Sequence, residues 1–390
     1  MEGVGMESNQ KNLQIYKIAD NIISPLGMST ADNLSAVLSG QSRLCLHHGL
    51  FDLPEDFCGS VLPHEETDSL FSAECGKGDY TFFERLCILS AMKAIQQCGV
   101  DAMRDDVLFV LSSTKGNVDC LAEDIMDERC YIAASAQKIA RFFGNCNTPI
   151  VVSNACVSGV CAQIAAVRQL LSGRYHTAVV IGCDTLSRFI ISGFQSFKAL
   201  SSVPCRPYDC NRSGLNLGEA VGTIILHAGE SKCADQWHFR ACSIHNDANH
   251  ISGPSRTGEG SYRVLADILQ NVSMQELAYV CAHGTATAYN DEMESIAIHR
   301  AGLDSMPLCG LKGYYGHTLG AAGIIETIIV MASLEKGIIP ATRGYSAQGT
   351  TYALNLSHSS RPADRMGFIK ILSGFGGSNA GIAYTKGGDV

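Results

Sequence analysis

Short apolar runs and longer stretches with helical spacing take turns along the whole sequence, and that order leaves few architectures open. "DVLFVLSST" (106–114) carries the continuous apolar run Val107–Leu111 and predicts a buried strand. "YTFFERLCILSAMKAIQQCGV" (80–100) before it reads as a helix ending at Gly99, and "YIAASAQKIARFFGN" (131–145) as a helix closed by Gly144. "TPIVVSNA" (148–155) is strand, and Val160, Ile164, Val167 and Leu171 then fall at helical spacing before Gly173, a good C-cap residue. "TAVVIGCD" (177–184) and "GEAVGTIILHAG" (218–229) follow as strands.

After the polar connection "AGESKCADQW" (228–237) the same grammar restarts. "SYRVLADILQNV" is helix, "LAYVCAHGT" strand, "NDEMESIAIHRAG" helix, "MPLCGLKG" strand and "LGAAGIIETIIVMASLEKG" a long apolar helix. "MGFIKILSGFGG" and "NAGIAYTKG" close the chain as two strands. The expectation is a layered α/β protein of two similar halves, residues 1–230 and 231–390. No short-period repeat or low-complexity tract interrupts it.

Composition narrows the function classes. Of 390 residues 46% are apolar, enough for a large core, and the formal net charge of -9 argues against a nucleic-acid binder. No apolar run is long enough to span a bilayer, and the N-terminal "MEGVGMESNQKNLQ" has no apolar centre for a signal sequence. The 17 cysteines include no CxxC pairs, so a metal site is not expected. Many sit in apolar segments such as "ERLCILSAM", where a thiol acts as a small hydrophobe, and the reading is a reduced, cytoplasmic chain.

One thiol stands apart. In "VVSNACVSGVCAQ" (151–163) Cys156 falls where the strand hands over to the helix, among the small residues Ala155, Ser158 and Gly159. A strand–turn–helix exposes a nucleophile, and the helix N-terminus favours a thiolate. The position suits either that role or a buried thiol in a tight turn. His283, in "CAHGTATAYND", and His317, in "LKGYYGHTLGAAG", each lie beside a glycine at an element boundary. With Cys156 they form a candidate Cys/His/His set.

Seven segments in order carry a resemblance. They are "ISPLGMSTADNLSAVLSGQS", "SNACVSG", "FKALSSVPCRPYDCNRSGLNLGEAVG", "NDANHISGPS", "HGTATAYND", "KGYYGHTLGAAGIIE" and "GFGGSNA". The chain resembles the β-ketoacyl-acyl carrier protein synthases, in their elongating Cys-His-His type, over nearly its whole length. The resemblance implies the thiolase-like fold, two α/β halves packed as α-β-α-β-α layers, the first with the nucleophile and the second with both histidines. It implies decarboxylative Claisen condensation of an acyl-cysteine with malonyl-acyl carrier protein to give a 3-oxoacyl product.

In this scheme Cys156 takes the acyl group and the backbone N–H groups of Cys156 and Phe375 hold the oxyanion. His283 and His317 stabilise the enolate, and Lys312 and Glu326 support them. Phe375 gates the pocket, Thr285, Thr287 and Ser252 grip the pantetheine arm, and Lys198 docks the carrier protein. His250 is an additional histidine of "NDANHISGPS". No bound cofactor is implied, because the carrier delivers the phosphopantetheine arm. The implied assembly is a homodimer, or a heterodimer with a related synthase-like chain.

The sequence departs from the pattern in places. Ala288 replaces a frequent proline, and Lys115 in "SSTKGN" falls where many fatty-acid enzymes line the acyl pocket, so it shortens or polarises that pocket or faces elsewhere. "GTATAYND" lies nearer polyketide-like and other specialised synthases. The alternatives are a subunit that works only beside a chain-length-factor-like partner and a thiolase-type acyltransferase. The latter needs a second thiol that "GFGGSNA" lacks.

Overall fold

A computed structural model describes residues 13–122, 128–230, 235–251 and 253–387. Its strands are β1 (Gln14–Ile23), β2 (Cys45–His47), β3 (Phe57–Ser60), β4 (Val107–Ser112), β5 (Ile150–Val152), β6 (Thr177–Asp184), β7 (Leu217–Gly218) and β8 (Ala220–Gly229). They continue with β9 (Trp237–Asn246), β10 (Tyr279–Cys281), β11 (Leu308–Cys309), β12 (Ile338–Ile339), β13 (Arg361–Pro362), β14 (Gly367–Gly374) and β15 (Ser378–Lys386). The helices are α1 (Thr30–Leu38), α2 (His64–Cys75), α3 (Phe82–Cys98), α4 (Ile132–Phe142), α5 (Ser158–Leu171), α6 (Arg188–Ser196), α7 (Glu259–Leu269), α8 (Ala288–Arg300), α9 (Lys312–Tyr315) and α10 (Ala322–Glu335).

Ten strands hydrogen-bond in the order β11-β10-β14-β15-β9-β1-β8-β6-β4-β5. The central join is slight: β9 meets β1 through the one pair Tyr16–His238. On either side of it the pairing runs in the same sense. β1–β8 and β8–β6 are antiparallel and β6–β4 and β4–β5 parallel. Likewise β9–β15 and β15–β14 are antiparallel and β14–β10 and β10–β11 parallel.

Helices α5 and α10 lie between the two sets of strands. α5 touches β4, β6 and β8 and also β15, and α10 touches β8 and β6 and also β14. α3 covers the other face of β1, β6 and β8, while α7 covers β9, β14 and β15. The result is the α-β-α-β-α layering expected of the thiolase-like fold. The middle layer is buried on every side: twelve residues of α10, from Ala322 to Leu334, are buried, and most of them are apolar. Such a helix has no solvent face and belongs inside a large core.

The two central helices cross at glycines. A Cβ on Gly323 would lie 2.5 Å from the backbone nitrogen of Val160, and one on Gly159 would lie 2.9 Å from Gly320 O. Buried Gln163 bridges the crossing, donating to Gly323 O (3.0 Å) and accepting from the Tyr384 hydroxyl (3.0 Å). This close approach brings the N-terminal ends of α5 and α10, and the residues before them, to one place.

Candidate active site

Cys156 sits at the elbow between β5 and α5. Ala155 before it holds φ 44, a left-handed conformation that costs a non-glycine residue energy and persists where packing enforces it. Ser158 holds the turn from inside: its hydroxyl accepts from Asn154 N–H (2.7 Å) and donates to Ala155 O (2.6 Å). On the far side β14 ends at Gly374, where a Cβ would come within 3.2 Å of Cys156 N. The backbone N–H groups of Phe375 and of Cys156 itself both reach the sulfur.

The elbow agrees with the sequence, but the expected resting thiolate does not. Cys156 is 8% exposed, and burial pushes its thiol up to about 11, against the lowering effects of Lys312, the Phe375 N–H and Lys115. The helix N-terminus is outweighed by desolvation. Alkylation of Cys156 by iodoacetamide is therefore expected to keep accelerating as pH rises through 9, the ordinary thiol value. A plateau reached near pH 7 would show a thiolate stabilised at rest.

The two histidines arrive on loops from the other half. His283 follows β10, and the loop after it is pinned by two carboxylates of α8. Glu294 accepts the backbone N–H groups of His283 (2.7 Å) and Gly284 (2.8 Å), and Asp291 accepts those of Thr285 (3.0 Å) and Ala286 (3.2 Å). Tyr208 ties both carboxylates, donating its N–H to Asp291 (2.7 Å) and its hydroxyl to Glu294 (2.9 Å). Burial pushes the Asp291 carboxyl up to about 7. His317 lies between α9 and a 3-10 turn, Leu319–Ala321, that precedes α10.

The ligand atoms of Cys156, His283 and His317 all lie within 4.8 Å of one another, and all three residues are buried. The two rings meet edge to face, centroids 5.1 Å apart. Burial, then the Lys312 charge, pushes both imidazoles well below the usual histidine range, so both are neutral near pH 7. Leu319 N–H donates to His317 Nδ1 (3.2 Å), which places the ring proton on Nε2. That Nε2 is buried with no hydrogen-bond partner among the described residues, as is His283 Nδ1. Unsatisfied buried groups are rare and call for a ligand.

A metal ion could be bracketed by these three side chains on distance alone. Ligation through His317 Nε2 would need the proton on Nδ1, where Leu319 N–H already points, and Lys312 stands close by. The donor set suits hydrogen bonding to a substrate oxygen better than it suits a cation.

Lys312 donates to His283 O (2.7 Å) and to Glu326 (2.9 Å), and both partners of this ion pair are buried. The lysine thus acts on the histidine's backbone. Sequence reasoning missed the second lysine on this carboxylate, Lys370, whose Nζ is 2.5 Å from Glu326 Oε2. Its signal is a charge in the middle of "GFIKILSG", a strand buried almost throughout. The α8 carboxylates Asp291 and Glu294, three and six residues after the helix start, were also missed, because nothing in the sequence sets them apart from other polar helix positions.

Cys156, His283 and His317 line a cavity of about 590 Å³. Its wall includes Thr285 and Thr287, whose hydroxyls are 2.9 Å apart, and also His250. At the mouth Phe375, 36% exposed, stacks on Phe194 (centroids 6.0 Å) and meets Phe197 edge-on (5.6 Å). Exposed Lys198, at φ 52, and half-buried Arg212 complete the rim. Ser252 lies outside the described residues. Lys115 is half-buried and absent from the cavity wall, and its charge acts on Cys156 from the turn after β4.

Comparison with known proteins agrees with the fold. The β-ketoacyl synthase N-terminal domain matches residues 80–231 and the C-terminal domain residues 238–346. Nodulation protein E of Rhizobium leguminosarum bv. trifolii is 30% identical over 264 residues, 65% of either chain. The 3-oxoacyl-[acyl-carrier-protein] synthase 2 of Vibrio harveyi is 25% identical, over 94% of this chain and 96% of that protein. Among solved structures, the ketosynthase ApeO in complex with its chain length factor ApeC from Xenorhabdus doucetiae superposes with a TM-score of 0.83. It is 24% identical, over 98% of this chain and 100% of that one. The ishigamide ketosynthase/chain length factor gives 0.84 at 22% identity, over 97% of this chain and 100% of that one, and the two structures share the fold.

Fold and matches together place the chain among the condensing enzymes that transfer acyl groups. It belongs to the β-ketoacyl synthase family. Among the described residues no helix is long and apolar enough to cross a membrane.

Proposed function

We propose that the protein catalyses decarboxylative condensation of an acyl-cysteine with malonyl-acyl carrier protein, in fatty-acid or specialised chain elongation. The observation that carries it is the meeting of Cys156, His283 and His317 within 4.8 Å in a cavity lined by the Phe375 turn. Cys156 sulfur attacks the acyl thioester, and the Phe375 and Cys156 N–H groups take the oxyanion. The carrier thiol leaves with the proton that Cys156 gives up.

Malonyl-carrier then enters, and its thioester oxygen accepts hydrogen bonds from the two imidazoles. Breaking the bond to the carboxylate releases CO2 and leaves its electron pair on the enolate. The carbanion attacks the acyl-cysteine carbonyl, the Cys156 thiolate departs as the 3-oxoacyl product forms, and it takes a proton from solvent to restore the resting thiol. All the electrons come from the carboxylate bond, so the scheme requires no cofactor beyond the arm the carrier brings. In this reading Thr285 and Thr287, which line the cavity, grip that arm, and Lys312, paired with Glu326, holds the His283 loop. A thiolase reading needs a second thiol, and Cys156 is the only one among the cavity's described lining residues.

The assembly we favour is a pair, of two copies or with a chain-length-factor-like chain. Among the described residues β5 ends the large sheet, bonded on one side to β4 alone, and its residues are half-buried. An unpaired edge strand is a template for another chain. Purification alone and with a co-expressed partner separates the two forms. The sixteen described cysteines are all free, which suits a reducing, cytoplasmic setting.

The chain is acidic overall, so attraction of an acidic carrier needs a local basic rim. Lys198 at the mouth supplies it. Lys198→Glu is expected to raise the KM for carrier-bound substrate by about tenfold, roughly the cost of turning one steering charge into a repulsive one. Turnover of a small pantetheine thioester should stay as it was, and added salt should shrink the difference. An equal effect on both substrates removes Lys198 from the docking surface.

A further inference from the structure

Lys370 occupies a position in β14 where an aliphatic side chain would be expected. It is fully buried, and its register partner on β10 is Cys281, two residues before His283. Its ammonium pairs with Glu326 Oε2 at 2.5 Å and donates to Ala282 O (3.0 Å) and Cys281 O (3.4 Å). Lys312 holds Glu326 Oε1 and the next carbonyl, His283 O. Two lysines that share one carboxylate thus donate to three consecutive carbonyls, residues 281–283. β14 itself runs on to Gly374 and the Phe375 turn at Cys156.

A buried ion pair costs desolvation, and a second cation on one carboxylate costs more. A core that only needed filling would take an apolar residue here. We propose that Lys370 is a second positioning residue of the condensation site, which fixes Glu326 and the end of β10, hence the place of Lys312 and His283. Its charge adds to the field in which the enolate oxygen forms.

The groups that face this cluster are Glu326 from α10, Lys312 from α9, Glu294 from α8, and the buried thiols of Cys281 and Cys309 from β10 and β11. His283 and His317 lie within its field, and the Lys370 charge helps to keep both neutral. Burial alone would lower the Lys370 ammonium, but the facing Cys281 and Glu326 turn the direction upward, so it stays charged.

The inference rests on the condensing reading above, so the first measurement is malonyl-carrier decarboxylation by the unsubstituted protein; its absence would strike that reading and not Lys370. Lys370→Met is expected to lower kcat by roughly tenfold to a hundredfold, the range that supporting contacts to active-site groups command, with KM nearly unchanged. The sign of the pH effect follows from the lost cation. Both imidazoles become easier to protonate, so the acid limb of the profile moves to higher pH, by about one unit for one nearby buried charge. Lys370→Gln keeps a donor without the charge. It should shift the limb equally while losing less kcat, and it is the variant read if Lys370→Met does not fold. A folded variant with kcat and acid limb both unmoved overturns the proposal. So does the failure of both variants to fold, since the residue would then serve only the core.

Discussion

Cys156→Ala loses acyl transfer and condensation by at least about a thousandfold, the scale of removing a nucleophile, while the protein stays folded. The loss is that large because Cys156 is the only thiol in the described cavity wall, and the backbone donors at its sulfur cannot act without it. Removing one buried sulfur leaves a small void, which costs on the order of 1 kcal/mol in a core as large as this one. The two imidazoles stay in place, so malonyl-carrier decarboxylation persists. Near-normal chain elongation by the variant, followed by chromatography of the products, would contradict the assignment.

His317→Ala reverses the pattern. It removes the one donor whose proton the structure places, Nε2–H, held there by Leu319 N–H on Nδ1. Loss of one preorganised donor to a forming oxyanion costs about 3 kcal/mol, roughly a hundredfold in decarboxylation. His283→Ala should cost a similar amount. Self-acylation of Cys156 uses the Phe375 and Cys156 N–H groups and should survive better in at least one of the two variants. Because burial and Lys312 hold both imidazoles well below the usual histidine range, decarboxylation should persist below pH 6.5 before it falls. Equal loss of both half-reactions in both folded variants would remove the division of labour.

The elements that could be read from the sequence are those whose ends carry local chemistry. "TAVVIGCD" is β6 from Thr177 to Asp184, and Gly99, Gly144 and Gly173 each turn left-handed after their helices, at φ 65, 70 and 73. β9 was not legible, though it sits in the middle of the large sheet. "WHFRACSIHN" mixes histidine and arginine with apolar residues because some of its side chains stay partly open, and it follows a polar connection. β1 escaped notice for a similar reason: "QIYKIADNII" pairs Lys17 with Asp20 inside a strand.

The site shows the same division. Cys156, His283 and His317 stand out because glycines and small residues clear space around them. The groups that hold them do not stand out. Asp291 and Glu294 look like ordinary polar positions of a helix until the His283 loop folds back onto them. The thiol's resting state was misread for a physical reason, since the helix end is visible in sequence while the depth of burial is not.

Mass spectrometry of the intact and digested protein, after incubation with a panel of acyl-carrier proteins, bears most directly on the central claim. The expected result is a mass increase equal to the acyl group, confined to the peptide that carries Cys156, absent from Cys156→Ala and discharged when malonyl-carrier is added. Acylation at another thiol, or an acyl group on Cys156 that malonyl-carrier leaves untouched, would contradict it.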